Sequence, residues 1–103
     1  SRTSRIWELV ESMSSEGISP SNFTWRVCAR AAAKDGDIHR ALEVIEAIRN
    51  GPGGGAWAIS RLGFDHKSWS VVAALLTASS DPRAREQAEQ LRREMEERYL
   101  PRA

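Results

Sequence analysis

Apolar positions recur along this chain with one period, that of a helix. Ile6, Leu9, Val10 and Met13 fall at i, i+3, i+4 and i+7, which sets them on one helical face. Ala41, Val44, Ile45 and Ile48 repeat that spacing, and Trp69, Val72, Ala73 and Leu76 repeat it again. Ala88, Leu91 and Met95 make a narrower stripe. The boundaries carry capping residues: Ser21 before the second helix, Asp37 before the third, Asp65 before the fourth, and Asp81-Pro82 before the fifth. Gly17, Gly36 and Gly51 stand where a helix is expected to end in a left-handed residue. In the last helix, Glu89 with Arg93 and Glu94 with Arg98 make i, i+4 pairs that favour a solvated face.

The helices repeat one another. "IWELVESM" (6–13) and "ALEVIEAI" (41–48) align residue for residue at an offset of 35, with Glu8 on Glu43 and Glu11 on Glu46. "AEQLRREM" (88–95) is a third copy, 47 residues further on. A period near 35 built of two helices predicts a solenoid of helical hairpins, each burying its face on the next. The longer second interval holds "GPGGG" (51–55). The expected fold is therefore all-α, about five helices stacked as a short right-handed α-solenoid in one domain spanning 1–103. It divides into the second helix of a preceding repeat (4–17), a hairpin (22–50), a Gly-rich insertion (51–65) and a second hairpin (66–100). Residues 51–55 should lack regular structure, and 56–62 should form a short helical turn packed by Trp57. The chain opens mid-pattern and without methionine, which reads as a piece of a longer, processed or truncated chain.

Composition changes this picture little. Fifteen basic and fourteen acidic side chains nearly cancel, so any electrostatic function must come from local placement. The single cysteine, Cys28, excludes an internal disulfide framework and fits a reducing compartment. No apolar run approaches the roughly 20 residues of a membrane span, so no membrane insertion is expected. Local placement is uneven. From Asn22 to Lys34 there is no acid, while Arg26, Arg30 and Lys34 recur every four residues.

The linker "EGISPSNFTW" (16–25) joins a second helix to the next first helix. Its glycine, aliphatic, proline, polar pair, threonine and aromatic resemble the joint of pentatricopeptide repeats. "KDGDIHRALEVIEAI" (34–48) resembles the same family's turn and second helix. Tetratricopeptide repeats share the alanines but lack that joint. The resemblance is strong over the first hairpin and weaker over the second, which has Tyr99-Leu100-Pro101 at the corresponding joint.

That resemblance implies modular binding of single-stranded RNA in a mitochondrion or plastid, with first helices facing the ligand and about one base read per repeat. Carried over residue by residue, Arg26 and Asp65 match the base-choosing pair of the first repeat, and Ser70 with a residue near Arg102 matches that of the last. Phe23 and Lys67 match the base-clamping position, and Lys34 matches a phosphate-side lysine. The family usually has a small polar residue where Arg26 stands and an aliphatic where Lys67 stands, and Arg26 is placed to pair with Asp65 instead of a base. The implied function is RNA binding in organellar RNA metabolism or translation, with single-stranded or ribosomal RNA as partner. The alternative is a protein-interaction scaffold among the subunits of an organellar complex such as a mitochondrial ribosome.

Other chemistry is not indicated. Cys28, His39 and His66 lack metal-ligand spacing, and Cys28 on an alanine-rich helix reads as a packing residue. "GPGGG" lacks the Gly-Lys-Ser/Thr ending of a phosphate loop and reads as a linker. No nucleophile stands with a base, so no enzyme activity and no cofactor are expected. Trp25 and Trp69, at equivalent repeat positions, and Trp7 are expected in the core.

Overall fold

The computed structural model of the protein describes residues 4–63 and 65–99; for 98 and 99 only the backbone is described. Among these residues there are five α-helices and no strand: α1 (Ser4–Ser15), α2 (Asn22–Asp35), α3 (Ile38–Asn50), α4 (His66–Thr77) and α5 (Pro82–Tyr99). A single 3-10 turn, Ser60–Leu62, lies in the insertion. The periodic stripes are what fold inward. Ala41, Leu42, Val44, Ile45 and Ile48 are buried on α3, and Trp69, Val72, Ala73 and Leu76 on α4. α2 contributes small residues, Cys28, Ala29, Ala31 and Ala32, which let its neighbours approach closely.

Each helix packs on the next, and α2 and α3 also pack on the one after that. α1 rests on α2, and α2 on both α3 and α4; α3 meets α4 and α5, and α4 lies along α5. One polar contact recurs with this packing. Glu11 of α1 reaches Arg40 of α3 at 3.8 Å, and Glu46 of α3 reaches Arg83 of α5 at 3.7 Å. Glu11 and Glu46 are the two acids that the 35-residue offset superimposes. Such surface pairs stabilise little. The acids are equivalent but the arginines are not, since Gln87 stands where the third copy matches Arg40. Arg40 also lies over the Trp7 ring, 4.8 Å from its centroid, covering an indole that is only partly buried.

Three of the expected caps form. Ser21 Oγ accepts from Thr24 N at 3.2 Å, Asp37 Oδ1 from Arg40 N at 3.0 Å, and Asp81 Oδ1 from Arg83 N at 2.9 Å. Between α2 and α3, Gly36 adopts φ 64°, so its N–H and that of Asp37 can reach back to Ala33 O (3.2 Å) and Ala32 O (2.9 Å). Asp37→Ala is expected to cost about 1 kcal/mol by orphaning the Arg40 amide. Thermal unfolding followed by circular dichroism should then show Tm lower by about 4–8 °C.

Two boundary expectations are corrected. Gly51 ends α3 in an extended conformation, φ −88° and ψ −177°, instead of a left-handed one. The positive φ angles fall later, at Gly53 and Gly55, because the chain continues in a turn closed by Gly54 N to Gly51 O and Gly55 N to Arg49 O. Asp65 stands at the N-cap position of α4, yet its carboxylate makes no aligned capping bond.

Residues 51–55 form only turns and bends, as expected, but Trp57 does not pack the segment that follows. It is 42% exposed, whereas Ala58, Ile59 and Leu62 are buried. The tight spacing of Ile59 and Leu62, three residues apart, turns both inward and leaves Trp57 on the outer side.

A buried ion pair holds the insertion down. Arg49 of α3 and Glu94 of α5 have side chains only 9% and 2% exposed, with Arg49 Nη1 2.6 Å from Glu94 Oε1. That contact is close, but its angle is not that of an aligned hydrogen bond, and Oε1 has no other partner. Arg49 Nε donates to Gln87 Oε1 at 2.6 Å and Nη1 to Ala56 O at 2.5 Å, while Ser60 N donates to Glu94 Oε2 at 2.7 Å. The expectation that Glu94 lies on a solvated face is overturned, for it is enclosed and turned to Arg49, while the side chain of Arg98, its expected partner, lies outside the described residues. Its neighbour pair behaves as expected, Arg93 Nη2 donating to Glu89 Oε1 at 2.9 Å.

Candidate nucleic-acid interface

The sequence segregates charge by helix, and the packing turns that into a surface. α2 carries Arg26, Arg30 and Lys34 with Asp35 as its single acid, and α4 carries His66 and Lys67 with none. The glutamates lie on α1, α3 and α5 and at Glu16, with none on α2 or α4. Because α2 and α4 pack side by side, their cations share one face.

Between them lies a groove of about 230 Å3, lined by Arg30, Ala33 and Lys34 of α2 and by Lys67, Ser68 and Val71 of α4. Ala33, Val71 and the aliphatic stems of the long side chains make its lining mostly apolar, and Val71 remains 46% exposed. Three long cationic side chains thus border a shallow, open groove with no carboxylate in its lining. Asp65 stands at its edge, with Oδ1 3.7 Å from Arg30 Nη2. A bond from the Ser68 side chain, helped by the Arg30 charge, holds the Asp65 carboxyl below the usual carboxylate range. It is therefore ionised at neutral pH and offsets part of the local positive charge.

A larger concavity, about 440 Å3, opens between the start of α2, the end of α3 and the insertion. It is lined by Pro20, Trp25, Ile48 and Leu62, and its one cation, Arg61, spends Nη2 on Gly53 O (2.6 Å) and Gly54 O (3.1 Å). Size alone favours this hollow. Charge favours the α2–α4 groove as a place for an anionic chain.

The residues named from sequence divide accordingly. Arg30, Lys34 and Lys67 come together around the groove. Arg26 does not line it: a four-residue step drifts ~40° around a helix, and Arg26 is half-buried with Nε enclosed and unbonded. Asp65 pairs with Arg30, not with Arg26. Phe23 projects from the first turn of α2, 67% exposed, outside the groove lining. Ser70 Oγ donates to His66 O at 2.9 Å within its own helix. The position near Arg102, and Leu100-Pro101 of the second joint, lie outside the described residues. Ser68 and Val71 were missed. The signal for Val71 was available, since it stands off the Trp69, Val72, Ala73, Leu76 stripe.

Cys28 is fully buried, and desolvation pushes its thiol pKa up, which suits a packing residue and not a reactive one. Trp69 is buried and Trp25 partly so. Among the described residues no three His, Cys, Asp or Glu side chains gather as a metal-ligand group, and no helix is long and apolar enough to cross a membrane. Compared with protein-family models, curated proteins and solved structures, the chain matches none.

Proposed function

We propose that this chain is a helical-repeat module that binds single-stranded RNA along the α2–α4 groove, gripping phosphates and reading base identity little. The observation that carries the reading is the groove itself: Arg30, Lys34 and Lys67 converge across two adjacent helices with no carboxylate in the lining. Cationic grooves of this kind track a single strand through its backbone. The fold is proposed as a short right-handed solenoid of hairpins like those of pentatricopeptide repeats. Its support is the 35-residue offset, with the packing of α2 on α3 and α4 and of α3 on α4 and α5. An organellar setting, mitochondrial or plastid, follows from the same resemblance.

A second reading, a scaffold among protein subunits, has one observation in its favour. The base-choosing positions are engaged elsewhere: Asp65 with Arg30, Ser70 with His66, and Arg26 half-buried. Backbone amide spectra recorded while a short oligouridylate is added distinguish the two. RNA binding predicts the largest shifts at Arg30, Lys34, Lys67 and Val71. Shifts absent there, or gathered on α3 and α5, would leave the scaffold reading as the better one.

A further inference from the structure

We infer that the outer face of α1, centred on Leu9, is a docking surface for one further amphipathic helix with the chemistry of α2. The inference rests on the hairpin-stack reading and not on RNA binding. It begins with a comparison the repeat makes possible. Ala41, Leu42, Val44, Ile45 and Ile48 of α3 correspond at the 35-residue offset to Ile6, Trp7, Leu9, Val10 and Met13 of α1. Every one of the five is buried on α3 and none is buried on α1. The contrast is greatest at one pair: Val44 is 4% exposed and Leu9 is 58% exposed.

The neighbours explain the difference. α3 packs on α2, its own hairpin partner, and on α4 and α5 of the following hairpin. α1 packs on α2 and touches α3 through Glu11 and Trp7, so the helices that follow it are in place. What α1 lacks is a helix standing to it as α2 stands to α3. The open face is continuous with the Ile6, Trp7 and Val10 surface already packed against the core. The occupant's chemistry follows from the helix that fills the equivalent place. α2 packs through Cys28, Ala29, Ala31 and Ala32, and it is acid-free from Asn22 to Lys34. A small-residue face suits Leu9, Trp7 and Met13, which are larger than the α3 residues they replace at two of three positions. The occupant is therefore a partner helix that packs through a small-residue stripe, as α2 does.

The test supplies that helix at high effective concentration. A second copy of residues 19–37 is joined ahead of Ser4 by a flexible Gly/Ser linker, which fixes proximity without adding contacts. Thermal unfolding should rise by about 5 °C or more, and α1 amides should exchange at least tenfold more slowly. Leu9→Asp in the joined chain should erase both gains, while in the original chain it should leave Tm within about 2 °C, because Leu9 is already exposed there. No gain on joining, or a gain that survives Leu9→Asp, overturns the inference. So does sedimentation showing that the original chain self-associates through Leu9, which would make the occupant a second copy. Oligouridylate binding is read separately on the α2–α4 groove, so failure here leaves the RNA reading standing.

Discussion

Replacing Glu94 with alanine is expected to destabilise the fold by about 3–5 kcal/mol, the largest stability effect of any single polar substitution considered. The magnitude follows from leaving a buried charge without its partner. Arg49 is held between α3, α5 and the insertion with a side chain 9% exposed, and among the described residues Glu94 is its counter-ion. The same change removes the acceptor of the Ser60 amide, which then has to find another. In a domain of this size, total stability is on the order of 5–15 kcal/mol, so Tm should fall by about 15 °C or more. Restoring neutrality tests the cause. Arg49→Met with Glu94→Leu should recover much of the loss, because a packed apolar pair avoids the desolvation cost.

The same residue gives a signed pH dependence. Burial raises the Glu94 carboxyl pKa above its ordinary value, and the Arg49 charge with the Ser60 amide bond offsets this only in part. The folded state therefore holds the proton more tightly than the unfolded state. Relative to Glu94→Gln, the wild-type chain should have its greatest advantage below the unfolded glutamate value of about 4.3. That advantage should shrink as pH rises through the higher folded value. Denaturant unfolding of both proteins between about pH 3 and 7 measures it, and a difference that grows with pH would contradict the assignment.

Much of the fold was legible in sequence because amphipathic period and caps are local signals. The stripes on α3 and α4, the Gly36 turn and the Ser21 and Asp37 caps depend on residues a few positions apart, and they fold as read. What was not legible depends on partners far along the chain. Glu94 fell among glutamates and arginines at i, i+4 spacing, so a solvated pair with Arg98 was the local reading. Its actual partner is 45 residues away on α3. One clue was present, for Glu94 lies three positions after Leu91 and so shares the buried stripe of Ala84, Ala88 and Leu91. Trp57 failed for a related reason: hydrophobicity alone nominated it, while turn geometry gave the buried positions to Ile59 and Leu62. At the groove, the basic spacing on α2 was legible but the selection of Arg30 and Lys34 over Arg26 was not. That depended on which side of α2 meets its neighbours.

Neutralising the groove is expected to have the largest functional effect. In Arg30→Gln, Lys34→Gln, Lys67→Gln, each lost phosphate contact removes up to about 0.7 from the slope of log affinity against log salt. At about 0.1 M salt that corresponds to roughly a fivefold loss per contact and about a hundredfold for three. The fold should survive, since these side chains are exposed and the Arg30–Asp65 pair is a surface one. Glu43→Gln with Glu46→Gln is the control on α3, where the acids pair with His39, Arg40 and Arg83 and do not line the groove. It should leave RNA binding nearly unchanged.

Fluorescence anisotropy of labelled oligouridylate, titrated with wild-type and triple-glutamine protein across a series of salt concentrations, tests the central claim most directly. Binding through the α2–α4 groove predicts a steep wild-type salt dependence, a slope shallower by about 2 in the triple variant, and little change when the oligonucleotide's bases are altered. Equal affinity and equal slope for the two proteins would contradict it.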